Sequence, residues 1–495
     1  MTDLKESLPM FNTRLPQFLV ASAAVLLAGC SMIPAYERPA APVAVSFPAY
    51  GSSLQAIEAL PADALPAAGI DWQDFFADPR LKRLIEMSLS NNRDLRVAVL
   101  SIEQARAQYQ IRRADQLPTV NGALTGSRTP NASGGITSLY SVGLAVTSYE
   151  LDFFGRVSSL KEAALGQYLA TEEGRKTAQI SLISAVANTY LSLLADEELL
   201  DITRQTLATR QESVKLSQLR FDSGVTSELD LRQAESLLEA ARVAYAQQQR
   251  QRALDENALT LLVGQPLRGE LPTSANQSPP LAQARLMAEV PAGLPSELLT
   301  NRPDIRQAEQ LLLASNANIG AARAAFFPRI ALTATAGSAS GHLSGLLQSG
   351  TWGWTLAPQL LLPIFDSGRN TAGLDSARAG RDMAVAQYEK SIQTAFREVA
   401  DALANRSTLA DQLQSQQRQA TAEAVRFRLS DLRYQNGIAS YLDLLDAQRS
   451  LFSAQQAVVQ TRLAQLQSQV TLYKTLGGGW KEPAQAVQAV SVPKP

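Results

Sequence analysis

Leu219-Arg220-Phe221-Asp222-Ser223-Gly224-Val225-Thr226-Ser227-Glu228-Leu229-Asp230-Leu231 recurs 213 residues later as Leu432-Arg433-Tyr434-Gln435-Asn436-Gly437-Ile438-Ala439-Ser440-Tyr441-Leu442-Asp443-Leu444. The same offset pairs Gly155-Arg156 with Gly368-Arg369, and Gly264 with Gly477. An offset of 210 pairs Asp94-Leu95-Arg96 with Asp304-Ile305-Arg306, and Pro118 with Pro328. A duplication of this extent sets the architecture. In each copy one glycine, Gly224 or Gly437, interrupts a helical pattern among polar neighbours. That reads as a turn where a long helix doubles back. Two helical hairpins are predicted.

The prolines partition the rest. All 24 fall in residues 1–130, 266–363 or 483–495, leaving 131–265 and 364–482 with none. Proline removes a helix donor and clashes with the preceding turn, so two long proline-free stretches predict two very long helical regions. Apolar residues recur in them at three and four: Ile180, Ile183, Ala187, Tyr190 and Leu194, then Tyr388, Ile392, Ala395, Val399 and Leu403. Such heptad-like spacing belongs to helices packed side by side. Residues 157–219 and 369–432 would each reach about 95 Å at 1.5 Å per residue. A globular domain needs no such length.

Each copy also predicts two strands, 119–128 and 139–151 in the first, 329–338 and 352–362 in the second. Most of their length alternates with period two. One side presents Val120, Leu124, Tyr140, Val142, Leu144, Val146, Ile330, Leu332, Trp352, Trp354, Leu356 and Leu360; the other presents small or polar residues such as Asn121, Thr125, Ser141, Gly143, Thr335 and Thr355. Strands of about 9–11 residues, apolar outside and polar inside, suit a membrane β-barrel. Tyr140, Trp352 and Trp354 suit its aromatic girdle. The competing reading is a soluble, half-buried sheet. Four strands cannot close a barrel, because open edges in lipid leave amides unpaired at several kcal/mol each. Several chains must then share one barrel.

The amino terminus carries an apolar run, residues 15–27, too short to span a bilayer as a helix. It ends in Leu27-Ala28-Gly29-Cys30 and reads as a secretory signal. A start at Met10 rather than Met1 would leave Arg14 as its only preceding charge. Cys30 is the only cysteine, so no disulfide forms within one chain. Leu-Ala-Gly-Cys resembles the lipobox of bacterial lipoproteins, which implies acylation of Cys30; the competing reading is a buried free thiol. Several acyl chains anchor firmly at roughly 0.8 kcal/mol per buried methylene. Ser31, where an Asp would favour inner-membrane retention, implies the outer membrane.

The formal net charge of −1 argues against a nucleic-acid partner. The single histidine, His342, lies in a Gly/Ser-rich stretch and reads as an exposed loop residue. No Ser-His or Cys-His pair, soft-ligand metal set or phosphate loop is present. No catalytic residue, metal or cofactor is expected, apart from the covalent lipid, and energy for transport must come from a partner.

Further motifs carry a resemblance. They include Pro34-Ala35-Tyr36-Glu37-Arg38-Pro39, Trp72-Gln73-Asp74-Phe75-Phe76, Asn91-Asn92-Arg93-Asp94-Leu95-Arg96, Tyr149-Glu150-Leu151-Asp152-Phe153-Phe154-Gly155-Arg156, Arg302-Pro303-Asp304-Ile305-Arg306 and Leu476-Gly477-Gly478-Gly479-Trp480. As an ordered set they resemble the outer membrane efflux protein family, in its nodulation-type lipoprotein branch. The resemblance implies a homotrimer with a joint β-barrel of four strands per chain and a periplasmic α-barrel. It also implies an equatorial belt built partly by the proline-rich segment 265–301.

Residues 441–449 resemble the stretch that closes the entrance in related channels. By position, Leu442 would form an apolar constriction, and Asp446 and Arg449 would hold neighbouring helices shut. Identical carboxylates around a three-fold axis repel unless paired or protonated, so Arg449 is the expected counter-charge. Asp443 is a candidate addition to the acidic ring, although Asp230 holds its place in the first repeat and points to a helix-start role. Gly224 and Gly437 mark the tips for adaptor docking.

The resulting fold class is mainly α with a membrane β part. Its map runs 1–29 signal peptide, 30–70 lipidated linker, 71–264 repeat 1, 265–301 connector, 302–480 repeat 2 and 481–495 tail. The expected function is the outer-membrane exit duct of a tripartite efflux system. It would serve a periplasmic adaptor and a proton-driven inner-membrane pump that expels drugs or other small amphiphiles. The alternatives are the channel of a type I protein secretion system and a periplasm-spanning structural lipoprotein.

Overall fold

The computed structural model describes residues 31–48, 67–130, 132, 134–267, 281 and 295–480. The signal peptide, Cys30, most of the connector and the tail from 481 lie outside the described residues. In chain order the principal elements are α1 (Pro79–Asn91), α2 (Arg93–Ala114), β1 (Val120–Pro130), β2 (Ile136–Leu151), α3 (Arg156–Asp222), α4 (Glu228–Val263), α5 (Pro303–Ala324), β3 (Arg329–Ser340), β4 (Trp352–Leu361), α6 (Arg369–Gln435) and α7 (Tyr441–Thr475).

Helices α3 and α6 are each 67 residues long. All ten residues of the two heptad-like runs are buried. One window of α3 is apolar enough to cross a membrane, but 67% of it is buried within the protein. It is core.

Both hairpin turns have one construction. Gly224 and Gly437 adopt φ of 70° and 71°, the left-handed region that glycine enters without a Cβ penalty. The N–H groups of Gly224 and Val225 donate to the carbonyls of Phe221 and Arg220, both at 2.9 Å; those of Gly437 and Ile438 donate to Tyr434 and Arg433 at 3.1 and 2.8 Å. These crossed bonds satisfy carbonyls that a helix end leaves unpaired. The return helices then start on capping boxes, Ser227 with Asp230 and Ser440 with Asp443. Three residues of turn chemistry thus repeat in each copy.

The chain divides into two compact units that cut across the repeats. One comprises residues 1–39, 103–170 and 308–388, the other 40–102, 171–307 and 389–495. The first unit contains the sheet, antiparallel throughout in the order β1-β2-β3-β4. Pairing runs from Val120↔Val146 to Pro130↔Ile136, so β1 and β2 extend past the expected 128 and 139; the ladder continues until the turn itself. β3 likewise reaches Ser340, opposite Tyr140 of β2. Between Val146 and Tyr149 the register shifts, with Ser148 at φ 59°. This bulge reverses the alternation, placing Tyr149 and Leu151 beside Leu332 and Ile330.

The second unit is held by motif residues acting as joints. Phe75 stacks on Tyr473 at 4.0 Å between ring centroids, and the Tyr473 hydroxyl donates to the Ile70 carbonyl at 2.6 Å. Arg302 donates to the Thr475 carbonyl at 3.0 Å and pairs with Asp304 and Glu398 at 2.6 and 2.9 Å.

Candidate functional site

The sheet sorts its side chains by face. Register places Val120, Leu124, Val142, Leu144, Ala334, Ala336, Trp354 and Leu356 on one side. Trp352, Trp354, Leu124 and Leu360 on that side are 60% exposed or more. A soluble half-buried sheet would cover such a face, whereas an uncovered apolar patch marks a surface that meets lipid or protein. Tyr140, Trp352 and Trp354 gather near the end where both hairpins turn, with Tyr140 opposite Ser340 and Trp352 opposite Ser338.

The other face is small and polar, and the sheet curls around it. A cavity of about 460 Å³ is lined there by Thr125, Ser141, Gly143, Thr335, Gly337 and Thr355. Thr125 and Ser141 share a hydroxyl hydrogen bond at 2.6 Å. Gly143 and Gly337 oppose each other so closely that a Cβ on Gly337 would lie 2.2 Å from the Val142 carbonyl oxygen. Around the cavity this surface presents hydroxyls and backbone to water, and the charges on the same face, Arg329 and Glu150, pair with each other at 2.7 Å. Among the described residues, β1 and β4 each pair on one side only.

At the hairpin tips, in the second unit, Leu442 is 56% exposed, while Tyr441, Leu444 and Leu445 pack with Ala234 of the first hairpin. This sequence-predicted segment therefore has one buried and one open side. Asp446 pairs within the chain with Arg426 of α6, a partner that the sequence reading did not name beside Arg449. Arg426 lies twenty residues away in sequence but faces Asp446 across the antiparallel hairpin. Arg449 makes no ion pair among the described residues. Asp443 takes the helix-start role to which Asp230 of the first repeat pointed: its Oδ2 accepts from the Ser440 hydroxyl at 2.9 Å. Its N–H in turn donates to the Ser440 Oγ at 3.2 Å. Gly224 and Gly437 have open space where a Cβ would go. The next residues, Val225 and Ile438, are 75% and 68% exposed.

Sequence reasoning missed one constellation. In the first unit, the segment after Cys30 is strapped to α5. Arg38 clamps Glu309 with bonds of 2.7 and 2.5 Å, the Tyr36 hydroxyl donates to Glu309 at 3.0 Å, and Asn316 donates to the Pro34 carbonyl at 2.8 Å. The Pro34–Pro39 motif held the signal, but nothing in it points to Glu309. Cys30 lies outside the described residues. His342 is exposed and precedes a short 3-10 turn. Among the described residues no cluster of three or more His, Cys, Asp or Glu side chains is placed to hold a metal.

A curled sheet with an uncovered apolar face, plus paired long helical hairpins, defines an outer-membrane channel subunit. The sequence profile of the outer membrane efflux protein family matches residues 84–265 and 294–478. The chain belongs to that family, whose members are channel proteins of the Gram-negative outer membrane. It is 49% identical over 487 residues to the probable efflux pump outer membrane protein TtgC of Pseudomonas putida, covering 96% of this chain and 98% of that one. It is 45% identical over 481 residues to the outer membrane protein OprJ of Pseudomonas aeruginosa, covering 95% and 97%. The open state of the Neisseria gonorrhoeae MtrE outer membrane channel superposes with a TM-score of 0.81 at 42% identity, covering 91% of this chain and 99% of that one.

Proposed function

We propose that this protein is the exit duct of a tripartite efflux system, passively conducting drugs or other small amphiphiles to the outside. The observation that carries this reading is the four-stranded sheet, apolar on one face, polar on the other and, among the described residues, unpaired at both edges. Closure in lipid requires partners for those edges, and three copies supply twelve strands around a polar lumen. The helical hairpins extend into the periplasm, where their tips at Gly224 and Gly437 meet an adaptor; a proton-driven inner-membrane pump supplies the energy. Acyl chains on Cys30 anchor the duct in the membrane. The protein carries out no chemistry of its own. Relatives named as efflux pump components support small-molecule export over protein secretion.

Deletion of the gene is expected to raise intracellular accumulation of dyes and drugs, and the purified protein is expected to conduct in planar bilayers. Unchanged accumulation for every compound tested would remove the efflux reading. A purified protein that never conducts would remove the channel itself.

A further inference from the structure

Arg210 of α3 is a buried cation with no counter-charge among the described residues. It is 6% exposed. Its Nη1 donates to the Leu237 carbonyl at 2.8 Å, its guanidinium lies 5.6 Å from the Phe452 ring centroid, and its Nε has no acceptor. Burial first, and then repulsion from Arg449, push its pKa down, with no carboxylate opposing them. A carbonyl and a ring return only part of the hydration such a charge loses.

Arg210 also lines a cavity of about 140 Å³ between α3, α6 and α7, together with Thr206, Thr209, Phe427, Gln448 and Phe452. The threonine hydroxyls already donate to the Ile202 and Gln205 carbonyls, at 2.9 and 3.1 Å. Gln205 and Gln455 line it too, the Gln205 amide nitrogen already donating to Asp201 at 2.7 Å; the lining atoms buried without a partner are the Arg210 Nε and the Oε1 of the Gln448 amide. A half-turn of that amide presents its NH2 with no change of shape. Water could satisfy both side chains, but it could not neutralise the charge.

We propose that this cavity binds a small monovalent anion between the free N–H of Arg210 and the Gln448 amide. The first hairpin supplies Arg210, and the second supplies Gln448, Phe427 and Phe452. The anion therefore ties one hairpin to the other just behind the tips, where burial of Arg210 beside Phe427 and Phe452 strengthens the attraction.

Bromide is the probe. Crystals of the full chain grown in sodium bromide are expected to show an anomalous peak in contact with Arg210. Arg210→Met, which keeps an unbranched stem against Phe452, is expected to lose it. Replacing sodium gluconate by sodium bromide at equal ionic strength should raise the wild-type melting temperature by about 2 °C, with no rise in R210M. A cavity holding only water, or a carboxylate from a neighbouring copy, overturns the proposal, as does a peak that persists in R210M. Should R210M fail to fold, the wild-type map decides alone. None of these readouts depends on transport.

Discussion

Arg426 of α6 and Asp446 of α7 close a guanidinium–carboxylate contact across the second hairpin, within one protomer. The corresponding positions of the first repeat are Ser213 and Gln233, so that hairpin has no such tie. Both partners are about half exposed, at 46% and 53%, where an ion pair contributes little to folding. Its consequence lies in which tip can move.

Arg426→Ala and Asp446→Ala are each expected to raise single-channel conductance with melting temperature unchanged. The double variant should add nothing beyond either single, because both remove one contact. Arg449→Ala should act only if Arg449 reaches a neighbouring copy. Single-channel recording checks this, and wild-type conductance in R426A would remove the pair from the gate.

Gly337→Val is expected to prevent barrel assembly, although valine favours strands. Its Cβ would meet the Val142 carbonyl within the ladder, where backbone cannot yield. Gly353→Val, with open space at its Cβ, is the control and should assemble. The measurement is the fraction of each variant recovered in outer membranes.

Glu309→Gln is expected to loosen the strap after Cys30. The carboxylate accepts from Tyr36 and both arms of Arg38. Burial, and then the Glu309 charge, push the Tyr36 hydroxyl up to about 12. Hydrogen exchange over residues 31–38 should rise about tenfold or more for each 1.4 kcal/mol lost, and exchange unchanged from wild type would show that Glu309 does not hold the strap.

Asp196 gives the fold a pH dependence. Burial, and then the neighbouring Asp255 carboxyl, raise its pKa to about 7 from an ordinary 3.8. Gln248 donates to its Oδ1 at 2.8 Å, while Oδ2 finds no donor. A raised acid holds a proton when folded that the unfolded chain releases. Its stabilising contribution is full below about pH 4 and is lost as pH rises through 7. Asp196→Asn can donate to Asp255 at every pH. It should melt higher than wild type at pH 8 and close to it at pH 4; a difference that does not change with pH would refute the assignment.

Much of this was legible in one dimension. The duplicated turn at Gly224 and Gly437 needs left-handed backbone and a serine cap, which are local demands that residue types announce directly. The heptad-like runs and the strand alternation report which side of an element is apolar, and the register bears out the two faces down to Val146. Past the bulge at Ser148 alternation ceased to be a guide, since an extra residue reverses the faces without leaving a compositional trace.

The sequence by itself determined the element types, the repeat, the two hairpin turns and the sheet's division into apolar and polar faces, because propensity, capping and periodicity act over a few residues. Only tertiary structure decided that Arg426 meets Asp446 within the protomer, that Glu309 receives Tyr36 and Arg38, and that Arg210 is buried with no carboxylate beside it among the described residues. Charge pairing depends on distance in space, and long antiparallel helices bring together residues that chain order keeps far apart.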